Sequence, residues 1–529
     1  MTSKLRLSHA AGTLIVSSVT TFLLPLDYTV ASVALRDIHR DFPVGFSDQQ
    51  WVINGYTMAF AALLMAGGGL ADLLGRRKVF LSGLALFTAA SLLAGLAPAM
   101  LWLNLGRVAQ GIGAAGMFSS SLALLVQEFT GPRRAHAFAV FGVASGLGAS
   151  LGPFIGGLAV DLGGWRWAFL LNVPFGIAML VLGLMRTRDS HDPQATRLDL
   201  KGLVLFSGAV LLTVHALVTA PQTGWTSPTT LATLAAAAVL TLVFVPVELR
   251  QPYPLIDLRL FTDRTFLGAS LAPLVLSIAF WGLFLYTPLY FQGVLGYSPL
   301  QAGMAMLPFA VPLFGAGPLG ARLAHRISSR ALLGTGQLLV AAGATLLACA
   351  PLHGDWTSYA IGGLVSGLGT GLINGEMSNV ALSIVPAARS GMASGINSTM
   401  RIVGMNAGFG GIGAVLAMAV TDDLTARTNR LHGLHHNLHT LATDVATGNL
   451  NGTAATVPAT LREGFRTAAA HAFATGMRSA FTVGACVALL GAATSFTLIR
   501  PPETDTTWEP GDTPQPAETA LSGIPTPGR

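Results

Sequence analysis

Four charged side chains lie inside long apolar stretches of this sequence. Asp27 and Arg107 fall in the first quarter of the chain, and Glu376 and Arg401 fall in the last third. An arginine or aspartate at the middle of a bilayer costs about 2.5–3.5 kcal/mol on insertion scales, so each needs a partner or water. Burial favours the neutral form of a carboxylic acid, whereas a neighbouring arginine favours the carboxylate. Such groups could bind and release a proton, or a cationic substrate, as their surroundings change.

The apolar segments that contain these charges set their depth in a membrane. Asp27 and Arg107 each lie about 10 Å below the outer ends of the first and fourth segments, at about 1.5 Å of rise per residue. Glu376 and Arg401 lie about 15 Å from the inner ends of the twelfth and thirteenth segments and repeat the pattern. Glu376 is therefore a second candidate proton or cation site, with a salt bridge that ties two helices as the alternative.

The composition of the chain excludes a soluble protein. Apolar residues make up 52% of the 529 residues and charged residues 10%, against roughly 25% charged residues in a soluble domain. Fourteen apolar segments are long enough to cross a bilayer. With the N-terminus placed inside, 20 of the 30 lysines and arginines fall on the inner side, and the short outer loops hold only Arg36, Arg40 and Arg166. We therefore expect fourteen transmembrane helices with cytoplasmic termini, in the cytoplasmic (inner) membrane of a bacterium.

A charged turn separates the second and third segments, in the stretch GLADLLGRRK at 69–78. Its three cations place the turn on the cytoplasmic side. The carboxylate of Asp72 could cap a neighbouring helix N-terminus or pair with an arginine of an inner loop. We expect a conformational lock between moving parts of the molecule, which involves Gly69, Asp72, Gly75 and Arg76. A purely topological role for the cations is the alternative.

An internal repeat predicts how the chain is divided. The stretch GPLGAR at 317–322, after the tenth segment, is a degraded copy of the turn after the second segment. A duplicated six-helix unit with two helices inserted between the copies fits this spacing. The expected parts are a first bundle at 10–186, inserted helices at 198–248, a second bundle at 264–420 and 471–499, an extracytoplasmic loop at 421–470, and a disordered cytoplasmic tail at 501–529.

Five stretches resemble known transporter motifs: GLADLLGRRK at 69–78, LNLGRVAQGIGAA at 103–115, GASLGPFIGG at 148–157, LDYTV at 26–30, and GWRWAFLLNVPFG at 164–176. The first three resemble motifs of the major facilitator superfamily, and the last two those of its fourteen-helix drug:proton antiporter family. The resemblance covers about residues 10–500. It implies an all-α integral membrane protein with the major facilitator fold, two six-helix bundles plus two inserted helices.

The resemblance also bears on the buried charges. In the superfamily fold the first and fourth helices border the central cavity, so Asp27 and Arg107 are expected to couple, directly or through water. A protonated Asp27 would release a cationic substrate, and a deprotonated one would attract it. A static ion pair that holds two helices together is the alternative.

The stretch 148–157 resembles a motif found in antiporters and largely absent from uptake systems. It places small residues on one helical face, so two helices can approach closely, and its proline can bend the helix. A tight, bent contact between the two halves could seal one side of the membrane, whereas ordinary small-residue packing is the alternative. The residues concerned are Gly148, Gly152, Pro153, Gly156 and Gly157.

Two weaker sets of candidates remain. Aromatic residues could line an apolar cavity, although such residues are also common at membrane interfaces. They are Trp51, Tyr56, Trp281, Tyr286 and Tyr290.

A histidine-rich face in the long outer segment could hold Zn²⁺ or Cu²⁺ through His432, His435, His436 and His439. Without cysteine or a fixed acidic ligand there, we expect no metal. His215 of the seventh segment is expected to be a neutral, hydrogen-bonded side chain.

These patterns predict a proton-coupled antiporter that exports hydrophobic, cationic or amphipathic drugs by alternating access. The alternatives are a dedicated exporter of one natural product or siderophore, and an uptake transporter on the same fold. We expect no enzymatic activity, since no polar catalytic cluster stands at an interface, and no nucleotide-binding loop is present. The proton gradient supplies the energy without a cofactor. The expected partners are the lipid bilayer and small hydrophobic substrates, and no nucleic acid. We expect a monomer, and the sequence leaves open whether it needs an adaptor protein.

Overall fold

The computed structural model describes residues 8–43, 46–129, 131–189, 199–224, 226–251, 256–351, 355–385, 390–428 and 438–500. Within these ranges the chain is helical, with a short 3₁₀ helix at Leu258–Thr262. The first helices are α1 (His9–Asp41), α2 (Phe46–Leu74), α3 (Arg76–Gly95), α4 (Met100–Glu128), α5 (Gly131–Gly163), α6 (Trp167–Leu170), α7 (Asn172–Arg186), α8 (Leu200–Thr223) and α9 (Pro228–Arg250). The others are α10 (Arg264–Gly293), α11 (Pro299–Ala305), α12 (Leu307–Gly315), α13 (Gly317–Ala324), α14 (Ser329–Cys349), α15 (Trp356–Ser383), α16 (Ser390–Thr428), α17 (Leu438–Ala446), α18 (Leu450–Thr456) and α19 (Arg462–Leu498).

The number of helices that can cross a membrane agrees closely with the sequence-based expectation. In the described ranges, twelve helical segments are long and apolar enough, and the bent helix α5 makes thirteen. Helix α15 has 28 residues, which is also enough to span a hydrocarbon core of about 30 Å. Its many glycines and its Glu376 lower its hydropathy, yet it packs closely between α12 and α14. With α15 included, the described helices supply the fourteen expected spans.

Proline explains where two of these spans are interrupted. Helix α5 bends by 48° between Val140–Ala149 and Leu151–Gly163. The ring of Pro153 removes a backbone donor and crowds the carbonyl four residues earlier, which is that of Ala149, so the bend falls there. The span formed by α11, α12 and α13 is broken twice, and each of these short helices has a proline in its first turn, where proline is tolerated.

The helices form two bundles with a pair between them. In the first bundle, α1 packs on α5, and α4 packs on α2 and α3. In the second bundle, α10 packs on α16 and α19, and α14 packs on α15 and α19. The inserted helices α8 and α9 pack on each other, and α8 also lies along α2 and α16. One inserted helix therefore covers the junction between the two bundles.

The two ends of the bundles differ in charge and contact. We call the basic face the end where α3 begins at Arg76 and α7 ends at Arg186. At the opposite face the bundles touch: the Arg36 guanidinium donates a hydrogen bond of 2.7 Å to the Gln292 carbonyl, and the Gln292 amide donates one of 3.3 Å to the Val33 carbonyl. The structure is therefore closed between α1 and α10 at the opposite face.

The segment 421–470 differs from the loop expected there. Helix α16 continues to Thr428, and α19 begins at Arg462, so both helices extend well past the expected span ends. Between them α17 and α18, here called the cap, place apolar side chains against the main core: Leu441, Ala442, Val445, Ala446, Leu450 and Ala454. The sequence predicts a loop here because only one face of each short helix is apolar, so polar residues dominate the segment. The tail at 501–529 lies outside the described residues.

Candidate functional site

A buried ion pair joins the first and fourth helices. Helix α1 carries Asp27 and helix α4 carries Arg107, and their side chains are fully buried. The Arg107 guanidinium donates from Nη1 to Oδ2 of Asp27 and from Nε to the Val52 carbonyl at 2.5 Å. The rings of Tyr56 and Phe169 lie 4.6 Å and 5.4 Å from the guanidinium carbon. The structure thus brings the two residues into direct contact without an intervening water.

Two amide side chains complete the environment of Asp27. Oδ1 of Asp27 accepts hydrogen bonds from Asn172 Nδ2 at 2.6 Å and from Gln110 Nε2 at 3.1 Å. Gln110 also donates to the Ser91 hydroxyl at 2.7 Å and accepts from Arg107 at 2.8 Å. The described partners of the Asp27 carboxylate all donate to it, so this arrangement suits the ionised acid better than the neutral one.

Gln110 and Asn172 are not among the site residues that the sequence predicts. Both stand in stretches that resemble transporter motifs, Gln110 in 103–115 and Asn172 in 164–176. Each is an amide side chain inside an apolar segment. This position indicates a polar site, because a buried amide requires hydrogen-bond partners. The spacing of one segment alone does not show that α7 turns Asn172 toward α1.

The charged residues of the second bundle are arranged differently from those of the first. Arg401 donates from Nη1 to Oδ1 of Asn374 and from Nη2 to the Asn374 carbonyl at 3.4 Å. Glu376 instead accepts from the Ser329 hydroxyl at 2.5 Å and from Asn379 Nδ2 at 3.4 Å. In the part of the chain that the structure describes, no ion pair joins Glu376 to Arg401. The salt bridge that was the alternative for Glu376 is therefore not found in these ranges, and its role as a proton or cation site stays a prediction.

The depth of Glu376 also differs from the expected value. Helix α15 ends at Ser383, which places Glu376 about 10 Å from that end. Its partner Ser329 is the first residue of α14, so Glu376 ties the start of one helix to the last turns of another. Glu376 stays a candidate proton site, but its described contacts serve to hold α14 on α15.

The five candidate aromatic residues do not share one cavity. Tyr56 covers Arg107, and Trp281 packs edge-on against Tyr28 with ring centres 5.5 Å apart. Tyr286 donates from its hydroxyl to the Phe409 carbonyl at 2.5 Å. The remaining two lie elsewhere: Trp51 packs on His215 at 5.7 Å, and Tyr290 packs on Tyr359 at 4.8 Å. A small cavity lies beside Tyr286, near the opposite face, and is lined by Leu35, Gln49, Gln50, Ile53, Asn54, Leu285, Tyr286 and Leu289.

The glycines of α5 serve two interfaces. A β-carbon at Gly148, Gly152 or Gly156 would collide with Phe22, Thr29 or Val30 of α1. A β-carbon at Gly157 would instead meet the Pro299 carbonyl and, at 2.9 Å, the Leu300 α-carbon at the start of α11. Three of these glycines therefore hold the first bundle together, and Gly157 belongs to the contact between bundles.

The turn between α2 and α3 is only partly described. The side chain of Asp72 lies outside the described part, so its role in a lock stays a prediction, as do the roles of Gly69 and Arg76. Gly75 has φ +108°, a conformation that favours glycine, and a β-carbon there would lie 2.9 Å from Oδ1 of Asp189. Arg77 donates to the Leu184 carbonyl at 2.7 Å. These contacts join the turn to the end of α7, within its own bundle.

The histidine candidates contribute no described metal site. His432, His435 and His436 fall outside the described residues, and the side chain of His439 is likewise undescribed. Among the residues that the structure does describe, no group of three histidine, cysteine or acidic side chains could hold a metal ion. His215 lies on α8 against Trp51, at the junction that α8 covers.

Comparison with known proteins identifies the family. The profile of the Major Facilitator Superfamily matches residues 17–409. The chain belongs to the major facilitator superfamily. This superfamily member is 37% identical over 419 residues to the multidrug resistance protein Stp of Mycobacterium tuberculosis, an alignment that covers 79% of this chain and 78% of the relative. It is 31% identical over 515 residues to the tetracenomycin C resistance and export protein of Streptomyces glaucescens, covering 97% and 95%.

A solved structure supports the fold of this superfamily member. It is similar to the crystal structure of a bacterial homologue of the human lysosomal transporter Spinster in an inward-facing, unoccupied conformation, with a TM-score of 0.64 and 17% identity. The likeness covers 93% of this chain and 99% of the other. The family and the all-helical membrane fold expected from the sequence are therefore confirmed, and the chain is a multi-pass membrane protein of a transporter superfamily.

Proposed function

We propose that this protein is a proton-coupled antiporter that exports hydrophobic or amphipathic drugs across the bacterial cytoplasmic membrane. The observation that supports it best is the environment of Asp27. This carboxylate is fully buried in the first bundle and receives donors from two neighbouring helices, from Arg107 and Gln110 of α4 and from Asn172 of α7. The names of its relatives, a multidrug resistance protein and an antibiotic export protein, support export as the direction of transport.

The contacts of Asp27 supply a physical reason for coupling. A protonated carboxyl group carries a donor, which would point at one of the donors that now surround it. Protonation therefore requires at least one partner to move away. Since the partners lie on α4 and α7, binding a proton at Asp27 would shift the packing of α1 on its neighbours. A proton and a change of conformation are then linked, as antiport requires.

Alternating access would use the contacts between bundles. Here Arg36 and Gln292 join α1 to α10 at the opposite face, and Gly157 lets α11 approach α5. If the N-terminus is cytoplasmic, this face is the outer one and the structure is closed to the outside. Opening it would separate these contacts while the lock of Asp72 and Arg76 forms at the basic face. The proton gradient then drives the cycle, in a monomer within the lipid bilayer, without a further cofactor.

A dedicated exporter of one natural product is a second candidate. It is favoured by the similarity, over 97% of this chain, to an export protein named for the single compound tetracenomycin C. Uptake on the same fold is disfavoured, because helix α5 carries the antiporter-like motif and packs through it on α1 and α11. The motif residues are Gly148, Gly152, Pro153, Gly156 and Gly157.

Proton flux in liposomes tests the proposal. Purified protein would be reconstituted with the pH dye pyranine inside and given a panel of cationic, neutral and anionic aromatic compounds, ethidium and naphthoate among them. We expect substrate-evoked proton movement in the wild type, and its loss in Asp27→Asn, while substrate counterflow without a pH gradient persists. The matched control is Asp161→Asn, an exposed acid on α5. Full proton flux in Asp27→Asn would transfer the coupling role to another acid such as Glu376. No proton flux in the wild type with any compound would refute proton coupling.

A further inference from the structure

Within the described part of the chain, Arg401 has no acidic partner, although it lies in the middle of a membrane helix. The described hydrogen bonds of its guanidinium go to the side chain and the carbonyl of Asn374, both of which are neutral. Throughout the described ranges, no carboxylate comes within ion-pair distance of it. Arg107 is the contrasting case, because it is fully buried and paired with Asp27. The charge of Arg401 is therefore not compensated by the protein around it.

The other acids inside the spans do not change this balance. Asp27 is already neutralised by Arg107. Glu376 points at Ser329 and Asn379, toward the start of α14. Among the described contacts, Arg107 is thus paired with an aspartate, whereas Arg401 is bonded to a neutral amide. The expectation of cationic substrates depends on a deprotonated Asp27 that is free to attract a cation. In this arrangement Asp27 is not free, because it is bonded to Arg107.

Aromatic side chains adjoin the uncompensated charge. The Tyr28 hydroxyl of α1 is within electrostatic range of Arg401, and the Tyr28 ring packs edge-on against Trp281 of α10. Tyr28 belongs to the first bundle, whereas Trp281, Asn374 and Arg401 belong to the second. We call these four residues the seam site. Each of them is half-buried and keeps some accessible surface, although the helices around them are tightly packed.

We infer that the seam site binds aromatic compounds that carry a negative charge, with Arg401 as the group that recognises the charge. A planar guanidinium forms paired, charge-assisted hydrogen bonds with carboxylate, sulfonate or ionised phenol oxygens. The rings of Tyr28 and Trp281 offer an apolar surface to the aromatic part of the same ligand. A lipophilic cation would meet like charge at Arg401. The inference rests on the proposed function, since it names the substrate class of the exporter.

The site lies where alternating access would change it. Tyr28 and Trp281 come from different bundles and touch in this structure. A relative movement of the bundles separates these rings while Arg401 stays with Asn374 on the second bundle. The aromatic surface offered to a ligand would therefore depend on conformation, whereas the charge would not. Arg401 selects the ligand, and the two rings respond to the state of the transporter.

A charge series on one ring system tests the inference directly. Full-length protein in detergent, with no pH gradient, would be titrated with 2-naphthoate, 2-naphthylmethanol and 2-naphthylmethylammonium, and binding followed by calorimetry. We expect the anion to bind most tightly and the cation most weakly. In Arg401→Gln the affinity for naphthoate should fall at least about tenfold, as expected for loss of a charge-assisted contact, with little change for the alcohol.

Two further variants complete the test. Arg401→Lys keeps the charge and should retain most of the preference for the anion. Arg478→Gln is the matched control, because Arg478 also lies in a long helix and also donates only to carbonyls, those of Ala348 and Ala350. Equal or tighter binding of the cation by wild-type protein overturns the inference, whether or not any variant folds. An unchanged preference in folded Arg401→Gln overturns it as well. Binding that follows the prediction without proton flux in liposomes would refute only the proposed coupling.

Discussion

Gly303 of α11 lies directly against the carbonyl oxygen of Pro153 in α5, with no space between them for a side-chain carbon. A β-carbon at Gly303 would also lie 3.1 Å from the α-carbon of Phe154. The contact joins the two bundles just beyond the 48° bend of α5. The bend and the small residues therefore act together: the proline directs the end of α5 toward the second bundle, and glycine lets the backbones meet.

The first prediction concerns this contact. In Gly157→Ala the added methyl group would collide with the start of α11, and overpacking of this kind costs about 1–3 kcal/mol. We expect the closed opposite face to be destabilised, seen as a lower melting temperature in detergent and a faster proton leak without substrate in liposomes.

Gly142→Ala is the matched control for that prediction. Gly142 lies on the same helix, and a β-carbon there would meet nothing within 4 Å. We expect wild-type stability and leak in this variant. If both variants behave alike, Gly157 has no special part in the contact between bundles.

The second prediction concerns the buried ion pair. Removing one partner of such a pair leaves an uncompensated charge and costs about 3–5 kcal/mol. We therefore expect Asp27→Asn and Arg107→Leu each to lower the free energy of unfolding, measured by detergent titration in mixed micelles. The double variant should cost clearly less than the sum of the two, because both charges are then gone.

The outcome separates structure from transport. A double variant that recovers stability but not proton flux would show that the pair is needed for coupling and not for folding. Additive losses would mean that Asp27 and Arg107 do not interact in the membrane.

The sequence predicted the first bundle better than the second for a physical reason. Asp27 and Arg107 have matching depths, and two opposite charges at one depth gain most by pairing. Glu376 and Arg401 also have similar nominal depths, but depth does not say in which direction a side chain points around its helix. Asn374 is a neutral partner for Arg401, and the hydroxyl of Ser329 donates to Glu376. No pattern within a single segment reveals such neighbours.

The segment 421–470 also differs from what its sequence pattern predicts. A polar stretch between two apolar ones predicts a loop, but the apolar residues of α17 and α18 are few and recur at helical spacing. Leu441, Val445 and Leu450 are buried because α16 offers a surface to α17 and α19 offers one to α18. The turn between the two short helices fits against α10, where a β-carbon at Gly293 would lie 2.6 Å from the Gly448 carbonyl.

The third prediction concerns the turn between α2 and α3. Gly75 has φ +108° and ψ 126°, a backbone conformation that costs a residue with a side chain about 1–3 kcal/mol. Gly75→Ala should therefore lower the melting temperature and disturb the contact with Asp189. Gly68→Ala is the control on α2, where the nearest atom to a β-carbon is Ser119 Cβ at 3.9 Å. We expect Gly68→Ala to keep wild-type stability. An unchanged melting temperature in Gly75→Ala would contradict the claim that this turn requires glycine.

The last prediction concerns pH and the cap. Burial raises the pKa of Asp444 in α17, and the nearby His39 of α1 lowers this pKa by a smaller effect. A raised acid pKa means that the docked cap binds the proton more tightly than the undocked cap. Docking is therefore strongest at low pH and weakens as pH rises from about 3.8 through the pKa of the docked state. Hydrogen exchange of α17, corrected for the intrinsic effect of pH on exchange, should show increasing opening along this range.

In Asp444→Asn that pH dependence should flatten, with the cap more protected at neutral pH than in the wild type, whereas Asp422→Asn on α16 should keep the wild-type profile. Protection of α17 that increases with pH in the wild type would show that the charge of Asp444 stabilises the cap instead.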